Sequence, residues 1–153
     1  MRDQIYLDCN ATTPAAAEVV ESMLPWFSEG FGNPSSSHAY GRVAKDAVER
    51  ARGQVASLIG CAADEIVFTS GGTESNNLAI FGAAAAATRE RRGIVTSVVE
   101  HPAVERPCDR LEREGHPVAR LSVDGTGRVS AEEAREASNG RTALVTVMLA
   151  NNE

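Results

Sequence analysis

Apolar positions along the chain follow two rhythms. Up to residue 60 the spacing is helical. Thr13 and Pro14 offer a cap and a first helical position for "AAAEVVESMLPWF". "RVAKDAVERARGQVASLIG" then sets Val43, Ala47, Ala51, Val55 and Leu58 on one stripe and stops at Gly60. The intervening "SEGFGNPSSSHAYG" has no period and reads as loop. From residue 65 short apolar runs alternate with helical patterns. "EIVFTS" predicts a buried strand, and a helix follows a glycine pair as far as about Ala87. "GIVTSVVEH" predicts a second strand. "PAVERPCDRLEREG" predicts a helix that Pro107 should kink or shorten. "PVARLSV", a "DGTG" turn, the short capped helix "SAEEAREAS" and the β-rich "TALVTVMLANNE" complete the pattern.

Strand–helix alternation of this kind predicts an α/β fold: βαβ units forming a mainly parallel sheet, with helices on both faces. Its strands are near-continuous apolar runs, as burial on two faces demands. The last run has the character of an interior strand, so the chain reads as the truncated front of a larger domain. Three stretches are expected: residues 1–13 as an N-terminal segment, 14–60 as helices and loop, and 61–153 as the incomplete first part of the α/β domain.

Composition narrows the chemistry. The chain has 153 residues, 42% hydrophobic and 24% charged, which suits a globular fold with a real core. A net charge of -6 argues against a nucleic-acid partner, because phosphate backbones are gripped by basic surface. No apolar run is long enough to span a membrane, and the start lacks the apolar core of a signal peptide, so the expected location is cytoplasmic. Cys9, Cys61 and Cys108 form no CxxC pair, so neither a disulfide framework nor a metal site is expected. Fourteen arginines accompany a single lysine, Lys45.

Ligands of open α/β sheets sit beyond the carboxyl ends of the strands. That rule gathers Gly71, Gly72 and Thr73 after the first strand, His101 after the second, and Asn151 and Asn152 after the last. Glycines where a strand hands over to a helix suit an anion held by backbone N–H groups. A phosphate cradle, an imidazole and a carboxamide on one rim would hold a small planar phosphorylated ligand. Each part alone also has a plain reading, as a tight turn, a helix cap or a loop. GxxxxGK[ST] and GxGxxG are both absent, which removes the P-loop and dinucleotide readings.

Five segments in order, "YLDCNATTP", "FGNPSSSHAYGR", "EIVFTSGGTESNNLAI", "VEHPAV" and the terminal "NNE", give the chain its resemblance to a known family. It resembles the N-terminal part of the cysteine desulfurases of the NifS/IscS type, in the class V aminotransferase group. The resemblance implies the fold of the large domain of aspartate-aminotransferase-like (fold type I) pyridoxal-phosphate enzymes, with residues 1–13 near the active site. It implies that pyridoxal 5'-phosphate is the cofactor, its phosphate held by Gly72 and Thr73. His101 would stack on the cofactor ring and serve proton transfer, and Asn152 would bond the ring hydroxyl. Asn33 and His38 fall in a loop near the site, without an assigned role.

The implied reaction converts L-cysteine to L-alanine and leaves sulfur as a persulfide on an enzyme cysteine. The sulfur then passes to an acceptor protein, such as an iron–sulfur scaffold, and the implied assembly is a homodimer. The family's cofactor-bearing lysine, its acidic partner for the ring nitrogen and its sulfur-accepting cysteine match no position here. Lys45 reads as a surface lysine, Cys9 as a residue near the site, and Cys61 and Cys108 as packing cysteines. Selenocysteine lyase, cysteine sulfinate desulfinase and a non-catalytic scaffold remain as alternatives.

Overall fold

The computed structural model describes residues 5–9 and 11–151, which divide into two compact units at Phe68/Thr69. The first unit holds two helices, α1 (Ala17–Met23) and α2 (Ala39–Ile59), with single 3-10 turns at Leu24–Phe27 and Ala63–Glu65. The expected start at Thr13–Pro14 is displaced. Residues 12–16 are not helical, and α1 begins after Ala16, which makes no side-chain cap. Thr12 is instead engaged by the Tyr6 hydroxyl, at 3.0 Å from its carbonyl oxygen and 2.5 Å from its hydroxyl.

Helix α2 starts three residues ahead of the expected Arg42. His38 caps it, its Nδ1 accepting from the Gly41 N–H at 3.3 Å. Gly41 is required by close approach: a Cβ there would sit 2.2 Å from the Ser36 carbonyl oxygen. The preceding loop is tied down by an Asn33 turn, whose Oδ1 accepts from Ser35 N at 2.9 Å. Phe31 stacks on Tyr40 with ring centroids 5.4 Å apart. At the other end Gly60 adopts φ 74°, the left-handed cap that a β-carbon disfavours. The expected apolar stripe of α2 is mostly uncovered. Its buried residues are Gly41, Ala44 and Ala56, whereas Val43 and Leu58 are exposed.

"EIVFTS" is not a strand. Residues 66–69 are free of regular structure and pair with no strand among the described residues. A β-strand exists only with a ladder partner, and here the Ile66 carbonyl accepts from the Arg52 guanidinium instead. That guanidinium also lies over the Phe68 ring, 5.1 Å from its centroid.

The second unit carries the predicted alternation: α3 (Gly72–Ala86), β1 (Gly93–Ser97), α4 (Pro102–Arg113), β2 (Val118–Leu121), α5 (Ala131–Ala137) and β3 (Thr142–Val145). The strands form a parallel sheet in the order β2-β1-β3, so the expected parallel sheet is present with β1 at its centre. Ile94 pairs with Val118 on one side and Leu144 on the other. Ile80 of α3 and Val104, Cys108 and Leu111 of α4 cluster with Ile94, joined by Phe81, Ala84, Val118 and Leu144. Each fully buried Ile, Val or Leu side chain among them contributes roughly 1.5–3 kcal/mol relative to exposure.

Two boundaries differ from expectation, and one helix is longer than expected. β1 ends at Ser97, and residues 98–100 turn into α4. β3 ends at Val145, although the Thr146 N–H still reaches the Val95 carbonyl at 2.9 Å. Pro107 does not interrupt α4, which runs through it for 12 residues. The proline removes a single ladder bond, and its ring is buried with Ala103, Val104, Cys108 and Leu111 on the core face. At the far end, Arg120 of β2 holds α4 through Asp109 at 2.6 Å and Glu112 at 2.9 Å.

Candidate active site

Two helix N-termini are the site's raw material. Gly71 is the N-cap of α3, and Gly72 and Thr73 are its first two residues, so their N–H groups belong to the set that a helix leaves without intrahelical partners. The loop ahead of them is held by Glu74, whose Oε2 accepts from Ser70 N at 2.6 Å and from the Ser70 hydroxyl at 2.7 Å. Those bonds, the hydroxyl's first, hold the Glu74 carboxyl below the usual carboxylate range. Glu74 thus fixes the turn from its outer side. Asn77 anchors the first turn of α3 from within, donating from Nδ2 to the Thr73 carbonyl at 2.8 Å.

His101 is the N-cap of α4. Its Nδ1 accepts from the Ala103 N–H at 3.0 Å, so in the neutral ring Nε2 is the nitrogen that carries the proton. The capping role anticipated as the plain reading of this histidine is present, and it also fixes how the ring can exchange a proton. A cleft of about 620 Å³ runs between α3 and α4 and is lined by Thr73, Asn77, Phe81, His101, Arg106 and Arg110, among others. Thr73 and His101, placed on one rim by the sequence, therefore share one cavity.

Asn151 follows β3 and donates from Nδ2 to the Val99 carbonyl at 2.9 Å, in the turn that leads to His101. Asn152 falls outside the described residues. Asn33 and His38 belong to the first unit, where they shape the loop and cap α2. Lys45, also in the first unit, is exposed on α2. Cys9 is exposed and Cys61 half-buried. Cys108 is fully buried in the α4 core, where burial pushes its thiol up from the ordinary value. A thiol so placed packs and does not react.

One residue escaped the sequence reading. Glu100, directly before His101, accepts at Oε1 from the Ser97 hydroxyl at 2.7 Å and from Met148 N at 2.8 Å. The second partner is 48 residues away, and no local pattern announces it.

Residues 5–153 match the family described as Aminotransferase class-V. The chain belongs to that family. It is 54% identical over 153 residues to a cysteine desulfurase of Cereibacter sphaeroides, covering 99% of this chain and 39% of that protein. Among solved structures, a NifS-like protein superposes with a TM-score of 0.90 at 38% identity, over 97% of this chain and 41% of that one. The structure titled SspA in complex with cysteine superposes with a TM-score of 0.87 at 42% identity, over 97% and 43%. The chain thus spans about two-fifths of the length of the curated relatives it matches. Class-V enzymes depend in general on pyridoxal phosphate. Among the described residues no helix is long and apolar enough to cross a membrane.

Proposed function

We propose that this chain supplies the phosphate- and ring-binding part of a pyridoxal-phosphate-dependent cysteine desulfurase. The observation that carries this reading is the meeting of Thr73 and His101, each at a helix N-terminus, in one cleft. The donor set fits the cofactor. Gly72 and Thr73 offer backbone N–H groups and one hydroxyl to a dianionic phosphate, at the positive end of a 15-residue helix. His101 offers a flat ring whose free nitrogen is Nε2. The similarity to named cysteine desulfurases, and to a structure holding cysteine, supports L-cysteine as substrate.

When bound, pyridoxal phosphate supplies the electron sink that loosens bonds at the substrate's α- and β-carbons. This chain's residues bind and orient. Gly72 and Thr73 would hold the phosphate, and Glu74 keeps their turn in shape. His101 would serve the ring and hold or move a proton at Nε2, its orientation set by the Ala103 N–H. Asn152 would be the partner of the ring hydroxyl, as the family resemblance implies. In the whole protein the substrate sulfur passes to an enzyme cysteine and L-alanine is released. Cys108 is not that cysteine, because it is sealed in the core. We assign the whole protein a homodimeric state and a protein acceptor for its sulfur, of the iron–sulfur scaffold kind.

The intact protein, loaded with pyridoxal phosphate, should release one alanine per sulfur transferred from L-cysteine. His101→Ala should cut turnover by roughly 100-fold or more, within the range that positioned proton transfer contributes. Much of the cofactor should stay bound in that variant. Turnover of selenocysteine or cysteine sulfinate without turnover of cysteine would replace the reading by one of its neighbours. Full activity in the His101 variant would remove the histidine from the mechanism.

A further inference from the structure

The turn between β1 and α4 does more than connect them. It delivers His101, and it is bound to a distant stretch of chain at two points. Glu100 is half-buried, and its Oε1 accepts both the Ser97 hydroxyl at 2.7 Å and the Met148 N–H at 2.8 Å. Asn151 closes the second point, donating from Nδ2 to the Val99 carbonyl at 2.9 Å. Among the described residues, 146–151 have no ladder bond beyond the one from Thr146 N to the Val95 carbonyl. The position of this exit segment therefore depends on side chains. The Ser97 hydroxyl is buried, so the carboxylate has one fixed donor below it and one backbone donor beside it.

We propose that Glu100 is a positioning residue for the reaction. Its carboxylate clamps the exit of β3, at Met148, to the turn that carries His101, so that the imidazole keeps its place at the N-terminus of α4. The inference rests on the reading of His101 as the group at the cofactor ring. A charged acceptor suits the task, because bonds to a carboxylate are about twice as strong as neutral ones. A carboxamide at the same position would keep the acceptor oxygen and the shape. A methyl group would leave the Met148 N–H without its partner and release the exit segment. A displacement on the order of 1 Å at a reacting group can cost about 100-fold in rate.

The test uses the intact protein with three substitutions, Glu100→Ala, Glu100→Gln and His101→Ala. Hydrogen exchange at the Met148 amide is followed without cofactor, and steady-state turnover of L-cysteine is followed with it. Glu100→Ala should speed Met148 exchange at least about 10-fold and lower kcat about 10- to 100-fold, with KM within about twofold. Glu100→Gln should restore both to within about threefold, as the retained oxygen requires. The visible circular dichroism of bound cofactor should shift in the alanine variant and return in the glutamine variant.

Should Glu100→Ala fail to fold, Ser97→Ala reads the same clamp. It should move exchange and kcat in the same direction by a smaller factor. Wild-type exchange and kcat in the alanine variants would overturn the proposal. So would a glutamine variant as impaired as the alanine one. An unimpaired His101→Ala would instead fault the reading of the site, while the exchange data would still judge the clamp.

Discussion

Thr73→Ala separates cofactor binding from folding more sharply than any other change at this site. Thr73 is exposed at the second position of α3, and its hydroxyl makes no hydrogen bond among the described residues. Its one local bond, from Asn77 Nδ2, goes to the backbone carbonyl, which alanine keeps. Alanine is also the better helix former, by a few tenths of a kcal/mol. The cofactor-free protein should therefore melt within about 1 °C of wild type or slightly above it. Binding is another matter. A hydrogen bond to a charged phosphate contributes about 1.5–3 kcal/mol, a loss on the order of 10- to 100-fold in affinity. Equilibrium dialysis of pyridoxal phosphate against the intact protein gives the dissociation constant, and calorimetry of the cofactor-free form gives the melting temperature. An unchanged dissociation constant would show that the turn holds something other than this phosphate. A destabilised cofactor-free protein would show that the hydroxyl serves the fold.

Two further outcomes follow from the same geometry. The Glu74 carboxyl is held below its ordinary range by the Ser70 hydroxyl and N–H, so its folded pKa lies below its unfolded one. Its contribution to stability is present above the unfolded value and is lost as pH falls through the folded one. Glu74→Gln should therefore melt below wild type at pH 7 and converge with it at acid pH, and parallel curves throughout would contradict the assignment. Leu111 is 4% exposed in the core of α4, so Leu111→Ala should cost about 2–5 kcal/mol in denaturant unfolding. Leu111→Met should cost less than about 1.5 kcal/mol, and equal losses from both would mean that volume is not what this position supplies.

Much of the second unit was legible because its signals are local. The glycine pair marks the start of α3, Pro102 the first turn of α4, and Ser130 caps α5 through the Glu133 N–H at 3.3 Å. The apolar runs of β1, β2 and β3 needed only a parallel order. "EIVFTS" failed for the opposite reason. Val67 and Phe68 express a preference for extended chain, but a strand is a property of two segments, and no described segment pairs with this one. The stripe on α2 failed similarly, since periodicity shows which face is apolar and not what covers it. Pro107 sits inside α4 without shortening it, its ring buried on the core face. For the site, the sequence placed Thr73 and His101 on one rim, and they line one cleft. Glu100 was beyond reach because its meaning lies in a contact with Met148.

The glycine turn "TSGGTESNN" carries no lysine in its sequence, and that suits the proposed chemistry. An anion site built from a helix N-terminus draws on about half a unit of positive charge from aligned peptide dipoles, without a mobile cation. Backbone donors carry no titratable charge of their own. A lysine reserved for covalent chemistry with the cofactor is then spared the task of neutralising its phosphate. The single lysine of this chain, Lys45, is exposed on α2 of the first unit and matches neither role by motif. On the proposed reading, holding the cofactor and reacting with it are therefore tasks of different stretches of polypeptide. On that reading Thr73 and the first turn of α3 would hold the phosphate, while His101, fixed by its own cap bond and by the Glu100 clamp, would serve the ring.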